Sequence, residues 1–302
     1  MEVNNNHTTM PTVGVLINNY NNGRWLRECV DSALAQSRPV NEIIVYDDGS
    51  SDDSVAILRA YGERIKLIEG VHRHDRSGIA SQAAAVAAAF SASTAEHLYL
   101  LDGDDRYKAH HVESCEARWK AEPAALMVQR AMLRLDAESR PLGPHYSAKL
   151  RQEVDYRREI YRGKNLDFFC LTSALAFRRD FLQKELPLEM PQTGLTSALD
   201  IRLCWAAALA GHILYLNEPG VDYRDHAAGM STTTGLRRQG RRKNAQLAIG
   251  DFNHYARLHH YPPLRPWLHV NFYLQWCRDL APKNLGDFCA QLKIRLTSRE
   301  VR

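Results

Sequence analysis

Residues 97–107, HLYLLDGDDRY, decide how the rest of the chain is read. Leu98-Tyr99-Leu100-Leu101 is an apolar run of the length of a buried strand. It leads directly into Asp102, Asp104 and Asp105, with Gly103 between them. Like charges this close repel one another. The segment is therefore either a solvated strand-to-helix turn, where Asp and Gly are favoured anyway, or a place meant for a cation. Mg²⁺ and Mn²⁺ take oxygen ligands, and one or two carboxylates completed by substrate phosphates form a common set.

The chain before this segment supports a layered architecture. TVGVLINN (12–19) is a β-rich run ending in polar residues. In GRWLRECVDSALAQ (23–36), Trp25, Leu26, Cys29, Val30, Ala33 and Leu34 fall at helical spacing. NEIIVYDDGSSDDS (41–54) reads as a second strand closing on acids and a Gly-Ser turn, with a helix starting near Asp52 or Asp53. RIKLIE (64–69) reads as a third strand, and SGIASQAAAVAAAFSAS (77–93) as a helix on alanine propensity alone. Strands alternating with helices predict an α/β fold with a mostly parallel central sheet flanked by helices. Ligands of such sheets bind beyond the carboxyl ends of the strands. Three of the four strands end in polar clusters: Asn18-Asn19-Tyr20, Asp47-Asp48 and Asp102 to Asp105. One site built from all three is the simplest explanation.

Beyond residue 109 the pattern loosens. HHVESCEARWKAEP (110–123) reads as a helix, AALMVQRAMLRLD (124–136) as a strand or hairpin, and LTSALAFRRDFL (171–182) as a strand feeding a helix. Residues 196–219 read as a helix stopped at Gly211 and then a strand. VDYRDHAAGMSTTTG (221–235) reads as a polar loop, and the remainder as helical with a break at YPPLRP (261–266). This divides the chain into a sheet-bearing unit over 1–235 and a basic helical extension over 236–302.

The 302 residues are 45% hydrophobic and 25% charged, as in a globular protein. MEVNNNHTTM carries no apolar signal-peptide core, and no run approaches the ~20 apolar residues that span a bilayer. Six scattered cysteines with no C-x-x-C pair argue against a zinc site or disulfide framework and suggest reduced thiols in a cytoplasmic protein. Net charge is +4, but from Leu236 onward there are 13 Lys+Arg against 4 Asp+Glu, leaving −5 for the first 235 residues. That asymmetry suggests an anionic partner for the C-terminal part, or a solvated basic face.

Each remaining candidate residue has a plain alternative. Asp47-Asp48-Gly49-Ser50 can accept from a nucleobase or ribose, or simply cap the next helix. Asp200 near a helix start can serve as a general base, yet Ser197-x-x-Asp200 also fits a capping box. His226 suits Mn²⁺, although a loop histidine is commonly just solvated. Arg237-Arg238-x-x-Arg241-Arg242-Lys243 can clamp phosphates or face water. WLHVNFYLQWC (267–277) can pack on the main unit or rest at a membrane surface.

Taken in order, four segments resemble the family 2 glycosyltransferases, inverting enzymes of GT-A fold. These are VGVLINNYNNGRWLRECVDSALAQS, EIIVYDDGSSDDS, LYLLDGDD and VDYRDHAAGMS, and the resemblance runs from about Thr12 to Ser231. It implies that Asp47 accepts from the nucleotide base, that Asn19, Tyr20 and Gly78 line the nucleotide pocket, and that Asp102 lies near the ribose. Asp104 would hold a divalent metal, Mn²⁺ or Mg²⁺, with His226 completing the shell, and Asp200 would be the catalytic base. Asp105 has no implied role and reads as a solvated turn residue. Where the family often has Arg-Asn after Gly78 this chain has Ala83-Ala84, which removes a sugar or nucleotide contact. The acid that commonly precedes the base is Leu199, so Asp200 stands alone.

The implied reaction moves a sugar from a nucleotide-sugar, UDP being the commonest carrier, to a glycan or lipid-linked acceptor. No nucleic acid is expected as partner. The basic C-terminus suggests peripheral membrane contact and a role in bacterial surface polysaccharide or lipopolysaccharide assembly. A nucleotidyltransferase would open with a Gly-rich basic loop, which INNYNNGRW does not resemble. A non-catalytic nucleotide-binding protein is the other alternative.

Overall fold

A computed structural model describes residues 10–145, 154–161, 169–188, 197–226 and 240–264, with backbone only for 240–248. The apolar run that opens the sequence reading is β4 (His97–Asp102), and it lies inside the sheet. β1 (Val13–Asn19) pairs with it in parallel, and β8 (Leu175–Arg178) pairs with its other edge in antiparallel fashion. Leu98 through Leu101 are completely buried, as expected of a strand covered on both faces. β2 (Glu42–Asp47) and β3 (Lys66–Glu69) extend the parallel half beyond β1. Its connections run through α1 (Gly23–Leu34), α2 (Ser54–Arg59) and α3 (Gly78–Ala92). α1 buries Trp25, Leu26, Cys29, Val30 and Ala33, the stripe its spacing predicts.

The second half of the sheet is mixed. α4 (His111–Ala121) leads into β6 (Met127–Leu135), which is antiparallel to β8 and to the short β7 (Pro141–Pro144). Residues 124–136 are thus one arm of a hairpin. β9 (Ile213–Arg224) runs parallel to β6 and carries the two-residue β5 (Arg106–Tyr107) on its other edge. The strand order is β3-β2-β1-β4-β8-β6-β9-β5, with β7 on β6. Three helices, α5 (Tyr156–Tyr161), α6 (Arg179–Glu185) and α7 (Leu199–Ala210), complete the flanks before α8 (Gly240–Leu258).

One sequence expectation is corrected here. Val221 to Arg224 are not loop but the second half of β9, with Val221, Asp222 and Arg224 buried. Asn217-Glu218-Pro219-Gly220 forms a bulge within the strand, and pairing to β6 resumes at Met132↔Val221. The buried Arg130 holds the bulge, donating to the carbonyls of Glu218 (2.8 Å), His110 and His111. Gly220 leaves the necessary room, since a Cβ there would lie 2.3 Å from the Arg130 side chain.

The last described helix shares this core. Phe252, Tyr255 and Ala256 of α8 belong to the central apolar cluster. Phe252 meets Trp205 of α7 edge-on at 5.4 Å, and Tyr255 donates to Glu185 of α6. Arg237, Arg238 and the aromatic stretch 267–277 lie outside the described residues, as do the side chains of Arg241, Arg242 and Lys243. Cys29, Cys115, Cys170 and Cys204 are buried and form no disulfide. Among the described residues no helix is long and apolar enough to cross a membrane.

Candidate active site

Strand register assembles the site. Asn18 stands opposite Tyr46 of β2 and Asp102 of β4, and Asn19 stands opposite Asp47. The three polar strand ends are therefore neighbours, as the sequence suggests. Gly103 closes the junction: its N–H donates to the Asn18 carbonyl at 2.9 Å. A Cβ at that position would come within 2.5 Å of Asn19 Oδ1.

At the end of β2 the two aspartates separate. Asp47 is fully buried. Its Oδ2 accepts from Asn19 Nδ2 and Ser50 Oγ, each at 2.7 Å, and its Oδ1 accepts from Ser50 N–H at 2.8 Å. Asn19, Asp47 and Ser50 thus form an internal clamp between β1 and the turn after β2. The neighbouring carboxylate, Asp48, keeps some exposed surface and pairs with His72 Nδ1 at 2.7 Å. His72 in turn stacks on the exposed ring of Tyr20, 4.1 Å between centroids and 14° between planes. Gly78, the first residue of α3, is exposed behind the Ser77 N-cap.

The acidic loop after β4 contains three different carboxyl environments. Asp102 is pushed up to about 7 by burial and by the Asp104 charge, against hydrogen bonds from Asn18 and Gln82. The Gln82 contact, Nε2 to Asp102 Oδ1, measures 2.9 Å. Asp104 meets His226 Nε2 at 2.8 Å. The His226 ring leans on Trp25 at 4.3 Å, and Trp25 Nε1 is fixed to the Ala137 carbonyl. Asp105, expected to be a solvated turn residue, is instead 2% exposed. It accepts from Ser173 Oγ at 2.6 Å and from the Arg224 N–H at 2.7 Å. Burial and then the Asp104 charge hold it well above the usual carboxylate range. The reason is β9, which the sequence reading ends too early: its last residue brings the N–H that binds Asp105.

The donor set suits a hard divalent ion. Asp104 and His226 offer one carboxylate and one imidazole beside carboxylates that repel each other without a cation. Among the described residues no three His, Cys, Asp or Glu side chains gather as a closed metal site. An ion at Asp104 therefore needs further oxygens, of the kind a diphosphate supplies.

Asp200 sits in the first turn of α7, where the helix dipole favours an anion. The capping-box alternative is not realised. Ala198 is the N-cap residue, and the Ser197 hydroxyl finds no partner. Asp200 Oδ1 instead accepts from the Ile201 N–H at 2.7 Å. Burial raises Asp200 to about 6, although hydrogen bonds from Ile201 and Thr172 act the other way. Asp200 and Asp102 feel each other electrostatically, so the candidate base belongs to the same site as the acidic loop. Gln82 spans the gap, its Nε2 lying 3.3 Å from Thr172 Oγ1.

Several of these residues escape a reading of sequence alone. Gln82 is the one long polar side chain in an alanine run, a signal hidden by the run's helix propensity. Thr172 and Ser173 look like ordinary strand residues, and nothing local marks Arg224 or His72.

Residues 14–186 match the family model described as glycosyl transferase family 2. An uncharacterized glycosyltransferase of Nostoc sp. is 25% identical over 244 residues, 80% of this chain and 74% of that protein. The putative teichuronic acid biosynthesis glycosyltransferase TuaG of Bacillus subtilis is 34% identical over 105 residues, 34% of this chain and 40% of its own. Among solved structures, residues 1–349 of S. aureus TarS in complex with UDP-GlcNAc align with a TM-score of 0.56 at 19% identity. That alignment covers 74% of this chain and 61% of that one. The chain thus spans about three-fifths of the TarS chain, and the likeness is one of fold.

Proposed function

Because the chain belongs to glycosyl transferase family 2, we propose that it transfers a sugar from a UDP-sugar to an acceptor hydroxyl with inversion at the anomeric carbon. The observation that carries this reading is the gathering of two raised carboxyls, Asp102 and Asp200, in one site, with Gln82 bonded to Asp102 and 3.3 Å from Thr172. A group held at about 6 is ionised at neutral pH yet basic enough to share a proton, which suits a general base.

In this mechanism Asp200 takes the acceptor hydroxyl proton as the new C–O bond forms and the bond from the anomeric carbon to the diphosphate breaks. Attack comes from the face opposite the leaving group, through an oxocarbenium-like state. Tyr20 and Asp48 offer a stacking face and an acceptor for the base, while Asn19 and Asp47 hold their strand ends in place. Asp102 reaches the ribose or sugar. Asp104 and His226 are the residues that would hold Mn²⁺ or Mg²⁺, whose charge offsets that of the leaving diphosphate.

The similarity to TuaG, a putative teichuronic acid biosynthesis glycosyltransferase, supports a bacterial surface glycan, or its lipid-linked precursor, as acceptor. A cytoplasmic setting with the basic C-terminal segment at the membrane face belongs to the same reading. The test is product formation from a panel of nucleotide-sugars, with released nucleotide measured alongside. General base catalysis contributes ~10²–10⁴-fold, so Asp200→Asn should lose turnover by that order and keep UDP binding. Wild-type turnover in Asp200→Asn would remove Asp200 from the mechanism.

A further inference from the structure

Helix α7 carries Asp200 but has no side-chain cap of its own. The first N–H groups of a helix find no partner inside it, and Ala198 at the N-cap position offers no side-chain acceptor. Asp200 Oδ1 takes the Ile201 N–H at 2.7 Å. The peptide just before the helix is held from outside: Asp251 Oδ2 of α8 accepts the Ser197 N–H at 2.9 Å, across 54 positions of sequence. Ser197 is 2% exposed, so bulk water does not stand in for that acceptor.

α8 is fixed well enough to act as an anchor. Phe252, next to Asp251, meets Trp205 in the middle of α7 at 5.4 Å and Tyr161 of α5 at 6.2 Å. One turn on, Tyr255 donates to Glu185 of α6 at 3.1 Å, and Ala256 is fully buried. Asn253 holds the chain beyond the helix by both backbone groups of Leu264, donating to its carbonyl at 3.1 Å and accepting its N–H at 2.6 Å. Asp251 and Phe252 thus grip α7 at its start and at its middle, from a helix that is itself packed on α5 and α6.

We propose that Asp251 is a positioning residue for Asp200, acting through the start of α7, and that α8 is part of the catalytic unit. The inference rests on Asp200 being the base. Asp200 lies three residues after Ser197, in the first turn of α7, so a shift of the Ser197 peptide carries the carboxylate with it. A misplacement of about 1 Å at a reacting group can cost ~10²-fold in rate. Asp251 also brings negative charge to the end of the helix where the dipole favours it. Leu199, beside Asp200, is apolar and buried, so the second carboxylate at the start of α7 comes from α8. The segment after residue 236, which reads as an extension, thereby contributes a residue that the sheet-bearing unit does not supply for itself.

The test is steady-state turnover of the full chain with the UDP-sugar that the product panel identifies, beside calorimetry with UDP. Asp251→Ala and Asp251→Ser are too short to reach the Ser197 N–H, whereas Asp251→Asn keeps an acceptor oxygen. The alanine and serine variants should lower kcat roughly tenfold or more. Their donor KM and UDP affinity should stay within about twofold of wild type, because Tyr20 and Asp48 follow β1 and β2 and do not sit on α7. Asp251→Asn should keep kcat within about threefold of wild type. Hydrogen exchange of the peptide spanning the start of α7 should speed up roughly tenfold in the two truncations and return towards wild type in Asp251→Asn.

Wild-type kcat in folded Asp251→Ala, or in Asp251→Ser should the alanine variant not fold, overturns the proposal. An asparagine variant as slow as the alanine one does the same, and so does a loss of UDP affinity equal to the loss in kcat, which marks general disorder rather than a displaced base. Faster exchange at the start of α7 together with full turnover in Asp200→Asn would leave the anchor standing and sink the base assignment instead.

Discussion

Arg224 holds Asp104 by its backbone: Arg224 Nε donates to the Asp104 carbonyl at 2.8 Å, while the Arg224 N–H donates to the Asp105 carboxylate at 2.7 Å. The rest of the guanidinium reaches Ser139 Oγ, the Asp136 carbonyl and Glu28, and lies over the Trp25 ring. One fully buried cation thus joins the end of β9, the turn after β6 and helix α1 to the acidic loop. Its electrostatic role is to place positive charge under a run of carboxylates. Its geometric role is to fix where the Asp104 side chain begins.

Removing that cation should be costly. Breaking a buried ion pair typically costs about 3–5 kcal/mol. Because Glu28 is partly exposed and hydrates when freed, the lower end applies to Arg224→Met, about 3 kcal/mol by urea denaturation. Arg224→Lys keeps the charge but cannot serve four acceptors from one fork, and should still lose about 1.5–3 kcal/mol. A Lys variant as stable as wild type would show that the fork geometry is irrelevant.

Arg224 also marks where sequence reading stops. The parallel half of the sheet was legible because its strands are continuous apolar runs and α1 carries a clear helical stripe. Register made the site predictable, since adjacent parallel strands necessarily end side by side. β9 was cut short because the segment from Val221 is polar and reads as loop, and only its pairing to β6 shows that Val221 to Arg224 continue the strand. Asp47 and Asp48 are adjacent in sequence and alike in composition, so only the fold tells the carboxylate held by Asn19 and Ser50 from the one paired with His72. Gln82, Thr172 and Asp200 lie far apart along the chain, and their alignment is a fact of packing alone.

The two β2 aspartates should separate in experiment. Asp47→Ala strands Asn19 Nδ2 and the Ser50 N–H in a buried position, at a cost of about 1–3 kcal/mol in urea denaturation. Asp48→Ala removes a partly exposed carboxylate and should cost about 1 kcal/mol or less, while weakening UDP binding by roughly tenfold in calorimetry, the loss of one charged acceptor. Equal effects of the two substitutions on both readouts would refute the division.

Gly103→Ala tests the close approach of the acidic loop to β1. The added Cβ would stand 2.5 Å from Asn19 Oδ1 and 3.3 Å from the Asn18 carbonyl. Neither neighbour can retreat freely, because Asn19 is bonded to Asp47 and Asn18 is in the ladder. Overpacking of this kind costs about 1–3 kcal/mol, and the shift should reduce turnover more than the stability loss accounts for at 25 °C. Unchanged turnover in the folded variant would mean that the loop position tolerates displacement.

Metal dependence is expected to reside in Asp104. UDP should bind more tightly with Mn²⁺ than after chelation, and Asp104→Ala should abolish the difference while UDP alone binds as before. The readout is calorimetry on the nucleotide, so it does not depend on knowing the acceptor. Equal UDP affinity with and without Mn²⁺ in the wild-type chain would argue against an ion at this site.

Asp200 gives a prediction in which stability and activity oppose each other. Its folded-state value of about 6 lies above the ~3.8–3.9 of a free aspartate, with burial as the main cause. Between those two values the folded chain binds more protons than the unfolded one, so this group makes stability fall as pH rises through the window. Above about pH 6 the ionised carboxylate carries its full desolvation cost. Asp200→Asn never ionises and should be more stable than wild type by about 1–3 kcal/mol at pH 8, an advantage that disappears by about pH 4. Turnover runs the other way: wild-type kcat/KM should drop below about pH 6 as the base is protonated, while Asp200→Asn stays inactive throughout. Paired urea titrations and rate profiles from pH 4 to pH 8 check both, and a variant no more stable at pH 8 than at pH 4, relative to wild type, would show that Asp200 carries no such cost.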